Sequence, residues 1–130
     1  MINMSNWFLR LAVLYLIASV GLGLQMAASN DHSMFPVHAH LNLLGWVSLT
    51  LFGLFYRVVP AAATTTLAKL HFWIYVPAHF VQMVLLTMFF RGVKTIEPAL
   101  GAVSMLVGVA IVMFAVVVWK NTPSPVPAPQ

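Results

Sequence analysis

The sequence contains no cysteine, and only two of its 130 residues are acidic. Without cysteine, the chain cannot form a disulfide, an iron–sulfur cluster or a thiolate zinc site. A covalently attached c-type haem is excluded as well, because its thioether links require cysteine. Any haem in this protein is therefore held by coordination and packing alone.

Charge is scarce and apolar residues are abundant. Charged residues make up 6% of the chain and hydrophobic residues 62%, with a mean hydropathy of +0.95. A soluble domain carries about a quarter charged residues, so the chain has too little polar surface for a water-soluble globule. We expect the lipid bilayer to surround most of it. The net charge is +4, but the basic residues are spread singly rather than clustered, so nucleic acid is not an expected partner.

Four apolar segments are each long enough to cross a bilayer as a helix. They predict an all-α fold, an integral membrane four-helix bundle that forms a single domain over residues 1–120. A proline-rich tail over residues 121–130 is predicted to be disordered. The first apolar run is too long for the core of a typical signal peptide, so we expect it to be retained. The predicted spans cover about residues 7–28, 36–59, 67–90 and 99–119.

The basic residues are distributed unequally between the two sides of these spans. Four of them lie on the side that holds both termini and two on the other side. Because cytoplasmic segments carry an excess of lysine and arginine, both termini are predicted to be cytoplasmic. The first group is Arg10, Arg57, Lys69 and Lys120, and the second is Arg91 and Lys94.

The main candidate site is the stretch His38-Ala39-His40-Leu41-Asn42-Leu43-Leu44-Gly45-Trp46, near the start of the second span. Ionisable side chains within a membrane span are costly and usually functional. His38 and His40 are separated by two positions in the sequence. On a regular helix their side chains therefore point in directions roughly 200° apart, so they cannot chelate one metal. Each can serve a different site, with Asn42 and Gly45 on the face of His38. The alternative is that both are interfacial histidines that bond to headgroups or backbone.

Two further histidines lie in the third span. His79 is near its middle and needs a partner, which can be a metal, Gln82 or a backbone carbonyl freed by Pro77. It is either a satisfied core histidine or a ligand, and it lies roughly 7 Å deeper along the membrane normal than His40. His71 lies at the inner end of the span, where it is predicted to anchor the helix at the interface.

The stretch from His38 to Trp46 resembles the tenth helix of haem–copper oxidase subunit I, especially in cbb3-type oxidases and nitric oxide reductases. The wider run, through Tyr56-Arg57-Val58-Val59-Pro60 to Lys69-Leu70-His71-Phe72-Trp73, is similar to small bacterial proteins labelled cytochrome c oxidase subunit I-like. The resemblance implies that His38 faces a high-spin haem and His40 a low-spin haem, in a bacterial cytoplasmic membrane. The chain lacks the histidine cluster of the copper site and has far fewer spans than subunit I, so a complete oxidase is not expected.

The sequence thus predicts a multi-pass membrane cytochrome with b-type haem, in which histidine binds the iron. The expected role is electron transport or haem and gas sensing, in a homo-oligomer that works with a redox partner protein or a quinone. Two alternatives stay open, a copper-binding or oxidase-assembly accessory subunit without haem and a purely structural membrane subunit. The predicted site residues are His38, His40, Asn42, Gly45 and His79, with the three histidines as metal ligands.

Overall fold

The computed structural model describes residues 3–122, and their regular structure is entirely helical. Four helices are long and apolar enough to cross a membrane, which confirms the all-α prediction with four candidate spans. Most of the predicted tail, residues 123–130, lies outside the described residues, and Asn121 is the last residue of the final helix. The helices are α1 (Met4–Ser29), α2 (Phe35–Val58), the short α3 (Pro60–Ala63), α4 (Thr66–Phe90) and α5 (Glu97–Asn121).

Local capping sets the helix ends. The Asn3 side chain accepts the Asn6 N–H, so α1 starts three residues before the predicted span. It ends at Asn30, whose φ of 55° is left-handed, a conformation that asparagine tolerates. The Thr65 hydroxyl accepts the Ala68 N–H at the start of α4. Each end therefore has a side-chain or backbone cause that hydropathy alone does not contain.

The long helices run alternately up and down, so α1 and α4 begin at the end of the bundle where α2 and α5 finish. Near this end an aromatic cluster from all four helices forms the core. Phe8 packs edge-on against Phe72 at 5.0 Å, and Phe52 contacts Phe114 at 4.4 Å between ring centroids. The cluster comprises Phe8, Phe52, Tyr56, Phe72, Tyr75 and Phe114.

The outer faces of the helices are apolar. Large hydrophobic side chains are exposed on every long helix, with Leu24 on α1, Leu51 on α2, Phe80 on α4 and Met105 on α5 among them. Such a surface suits lipid rather than water, because a helix that is apolar all round is buried or lies in a membrane.

Candidate functional site

His38 joins α2 to α1. Its Nδ1 lies 3.0 Å from the Ser19 carbonyl oxygen, and its Nε2 lies 3.2 Å from the Asn42 amide nitrogen. That amide nitrogen also lies 3.2 Å from the His38 carbonyl oxygen, so it is a donor to both atoms. We therefore assign the Nδ1–H tautomer, in which Nδ1 donates to Ser19 and Nε2 accepts from Asn42. Both ring nitrogens are engaged, and neither is free to bind a metal in this conformation.

Gly23 makes the contact of His38 with α1 possible. A Cβ at position 23 would lie 3.0 Å from Cε1 of the His38 ring, which is closer than nearly all real contacts. Asn42, predicted to be part of a cofactor site, orients His38 instead. The arrangement is a hydrogen-bonded joint between two helices.

His40 is engaged differently. Its Nδ1 lies 2.8 Å from the Pro36 carbonyl oxygen, one turn earlier on the same helix. Nδ1 must be the donor, which leaves the lone pair on Nε2. No residue in the described range hydrogen-bonds to that Nε2. A backbone carbonyl that holds the other ring N–H is how proteins usually orient a ligand histidine, so His40 is prepared for coordination and His38 is not.

His79 is buried in the bundle with 1% of its surface exposed, and neither ring nitrogen has a hydrogen-bond partner among the described residues. Its ring stacks on Tyr75, with 4° between the planes, and meets Tyr15 edge-on at 4.8 Å. The His79 ring lies near the backbone carbonyl of His40. It is also close enough to the imidazole of His40 for an electrostatic interaction between the two side chains. Of the three possible partners of His79, Gln82 is not one, because its amide N–H donates to Ser104 on α5 at 3.0 Å and its Oε1 has no hydrogen-bond partner among the described residues.

A cavity of about 820 Å³ lies between α1, α2 and α4, and His79 lines it. Its walls are mainly aliphatic and aromatic, with Leu14, Leu49 and Phe80 among them. Arg91, just beyond the end of α4, lines it too. The His79 cavity therefore combines apolar walls with a cationic side chain, and His79 forms part of its wall although its ring nitrogens are buried rather than exposed to the cavity.

Helix α2 is irregular between the histidine pair and the cavity. Residues Leu41–Val47 are π-helical, and the Ser48 N–H bonds to the carbonyls of Leu43 and Gly45 on either side of Leu44. The Leu44 carbonyl instead accepts the Tyr75 hydroxyl at 2.8 Å. Short π-helical segments occur frequently at functional sites, and this one ties the backbone of α2 to a residue that lines the cavity.

Gly45 lies within this segment and packs against α1. A Cβ there would lie 2.7 Å from two atoms of the Tyr15 ring. Tyr15 in turn contacts His79. Gly45 therefore has a packing role, through which it sets the position of one wall of the His79 cavity.

His71 is not at an interface, and the prediction that it anchors the helix there is wrong. The side chain is fully buried, with 0% exposed, and its Nδ1 lies 3.0 Å from the Tyr56 hydroxyl. It packs within the aromatic cluster, 4.6 Å from Phe52 and 5.4 Å from Phe8 between ring centroids. Its Nε2 has no partner among the described residues.

Sequence reasoning missed Ser19, Tyr15 and Tyr75. A signal was present for Tyr75, because it lies four residues from both His71 and His79 and so shares their helix face. No comparable pattern marks Ser19 or Tyr15, whose roles depend on the approach of α1 to α2.

His38, His40 and His79 do not converge on one ion. Within residues 3–122 no group of three or more histidine, aspartate or glutamate side chains is placed to hold a metal. Haem needs less from the protein, because the porphyrin supplies four iron ligands and a single histidine can supply the axial bond. Within the described residues a chelated metal ion therefore has no group of three ligands, whereas haem would require one histidine.

Comparison with known proteins adds no relative. No family model, no curated protein and no solved structure matches the chain.

Proposed function

We propose that this protein binds b-type haem in the His79 cavity, with His79 as an axial ligand of the iron. The observation that carries the proposal is the pair of unpartnered ring nitrogens on a histidine that is 1% exposed. A buried polar group without a partner costs about 1–3 kcal/mol. An iron–imidazole bond would satisfy one nitrogen and would explain why α4 carries a histidine at this depth.

The size and chemistry of the cavity support the same ligand. Its volume of about 820 Å³ lies within the roughly 300–1,000 Å³ of small-molecule sites. The aliphatic and aromatic walls suit the porphyrin ring, and Arg91 offers a cation for a haem carboxylate. Haem bound here would supply one-electron chemistry or a binding position for a gas, and the chain would supply orientation, exclusion of water and the axial bond.

The presence or absence of a second axial ligand distinguishes electron transfer from gas binding. His40 is the better candidate, because its Nε2 has no partner in the described range, whereas His38 uses both nitrogens. His40 does not line the cavity, so its imidazole would have to give up the Pro36 carbonyl to reach a haem bound there. With both axial positions filled, the protein is an electron carrier that works with a redox partner protein or a quinone. With only His79 bound, the iron is open to a gas.

The family and the membrane setting belong to the same proposal. The His-x-His stretch and the Tyr-Arg-x-x-Pro run support kinship with small bacterial proteins of the oxidase subunit I type. The four apolar helices support a multi-pass membrane protein, the distribution of lysine and arginine supports an orientation with both termini inside, and the resemblance alone supports the bacterial cytoplasmic membrane. At Gly101 and Gly108 on α5, nothing lies within 4 Å of the position that a Cβ would take, which leaves that face open to a second copy in a homo-oligomer.

Absorption spectra of the detergent-purified protein, oxidised and dithionite-reduced, test the proposal together with a pyridine haemochrome assay. We expect His79→Ala to lose most of the haem, and His32→Ala, a change in the exposed loop between α1 and α2, to retain it. His40→Ala should convert a six-coordinate spectrum to a high-spin one that responds to carbon monoxide. If His79→Ala keeps the wild-type haem content and Soret band, the proposal is wrong. Copper without iron in the wild-type preparation would favour the accessory-subunit alternative.

A further inference from the structure

A second pocket lies at the end of the bundle where α1 and α4 begin. It has a volume of about 690 Å³ and is bounded by the first turn of α1, the end of α2, α3 and the start of α4. Arg57 and Lys69 line it, as do Asn3 and Asn6. Phe72 and Trp73 give it an aromatic wall. The pocket thus combines two cations and amide donors with an apolar surface.

The chain has no acidic side chain near this pocket. Its only two acids, Asp31 and Glu97, lie in the loop after α1 and at the start of α5, which is the opposite end of the bundle. Asp31 is also engaged locally, since its carboxylate accepts the Ser33 N–H at 2.9 Å, and this bond lowers the pKa of the carboxyl. Arg57 and Lys69 therefore have no acidic side chain of this chain to pair with, and the pocket presents two cations to an anionic ligand.

Two further side chains of the pocket, Asn3 and Trp73, suit a lipid headgroup. The side-chain Oδ1 of Asn3 caps α1, where it accepts the Asn6 N–H, and the side-chain amide N–H groups of Asn3 have no hydrogen-bond partner among residues 3–122. Trp73 is 60% exposed, at a helix end where tryptophan typically lies at the level of lipid headgroups. Cationic pockets between helix ends at this level are suited to anionic headgroups.

We infer that this pocket binds the phosphate group of an anionic phospholipid. Arg57 and Lys69 neutralise the phosphate, and Asn3 and Asn6 donate hydrogen bonds to it. The part of the acyl chains next to the glycerol lies against Phe72 and Trp73. The site is separate from the His79 cavity, because Arg57 and Lys69 do not line that cavity and His79 does not line this pocket. The inference about this pocket can therefore be tested independently of haem binding.

Native mass spectrometry of the full-length protein in neutral detergent tests this inference, with phosphatidylglycerol, phosphatidylcholine and inorganic phosphate as probes. We expect one tightly held phosphatidylglycerol and weaker phosphatidylcholine. The double variant Arg57→Gln/Lys69→Gln should bind phosphatidylglycerol about 30-fold more weakly, which corresponds to roughly 1 kcal/mol for each cation near an anionic lipid surface. The matched control is Arg10→Gln/Lys120→Gln, which removes the same charge near the same end of the bundle outside the pocket.

Each outcome decides the inference. Retention by the control variant and loss by the pocket variant support it, as does quenching of Trp73 fluorescence by brominated phosphatidylglycerol that Trp73→Phe removes. Equal losses in the two double variants would mean a diffuse charge effect and would overturn it. Displacement of the lipid by millimolar inorganic phosphate would identify a free-phosphate site instead. Haem content should be the same in both double variants, which keeps this result separate from that of the His79 test.

Discussion

The close approach of α2 to α1 at Gly45 can be tested with a single methyl group. A Cβ at this position would lie 2.7 Å from Cδ1 and Cγ of Tyr15 and 2.9 Å from its Cβ. Carbon atoms normally contact at about 3.5–4.0 Å. Because the contacted atoms are at the root of the side chain, a rotation of the ring does not relieve the overlap. In Gly45→Ala the two helices must separate by roughly 1 Å.

The expected magnitude follows from two opposing terms. Overpacking of this kind costs about 1–3 kcal/mol, whereas alanine in place of glycine within a helix gains about 1 kcal/mol. Gly21→Ala on α1 is the matched control, because nothing lies within 4 Å of its Cβ position. The control retains the helix-propensity gain without the clash. The two variants should therefore differ in their free energy of unfolding by about 1–3 kcal/mol, with Gly45→Ala the less stable.

The assay is unfolding by sodium dodecyl sulfate in mixed micelles, with tryptophan fluorescence and far-ultraviolet circular dichroism as the two readouts. Both variants replace glycine by alanine within a helix, so the gain in helix propensity is common to both. It cancels when their free energies of unfolding are subtracted, whatever its value in detergent. Equal free energies of unfolding for Gly45→Ala and Gly21→Ala would refute the reasoning, since they would show that no side chain is packed against Gly45.

Two hydrogen bonds give further predictions by the same assay. Tyr75→Phe should destabilise the protein by about 1 kcal/mol, because the Leu44 carbonyl in the π-helical segment loses its donor, whereas Tyr15→Phe removes a hydroxyl without a hydrogen bond in the described range and should cost less. The same loss in both variants would contradict the Tyr75 assignment. His71→Phe should destabilise by about 1–3 kcal/mol, because it leaves the buried Tyr56 hydroxyl unpaired, and adding Tyr56→Phe should recover most of that loss. A double variant as unstable as His71→Phe alone would mean that the imidazole has another partner.

The fold could be predicted from the sequence because hydropathy and length are local properties of each segment. The divergence of His38 and His40 could be predicted as well, since both lie in the regular part of α2, before the π-helical turn begins at Leu41. The rotation of about 100° per residue therefore holds for this pair, but the shared face predicted for Asn42 and Gly45 extends into the π-helical segment. The sequence pattern did not predict that segment, in which the Leu44 carbonyl accepts the Tyr75 hydroxyl from α4.

The prediction for His71 failed because it relied on a sequence neighbour. Lys69 lines a pocket at the end of the bundle, but two residues on a helix point roughly 200° apart, so the imidazole of His71 enters the core. Gln82, one of the three possible partners of His79, is not its partner for a related reason. The amide is three residues from His79 on the same helix, yet its partner is Ser104 on α5, and no pattern within one helix identifies a partner on another.

Unpaired polar atoms on α4 bear on the choice between a structural and a ligand-binding bundle. Within residues 3–122 the buried side-chain atoms without a hydrogen bond are Nε2 of His71, both ring nitrogens of His79 and Oε1 of Gln82, all on this one helix. At about 1–3 kcal/mol each, together they would consume much of the roughly 5–15 kcal/mol that stabilises a typical protein. Apolar residues would serve a purely structural helix better. Two of the four atoms belong to His79, which lines a cavity of ligand size, so a ligand bound there would both satisfy the imidazole and stabilise the fold in proportion to its affinity. A purely structural role leaves both His79 nitrogens without a partner, whereas a haem iron would satisfy one of them and the nearby His40 backbone carbonyl could accept from the other.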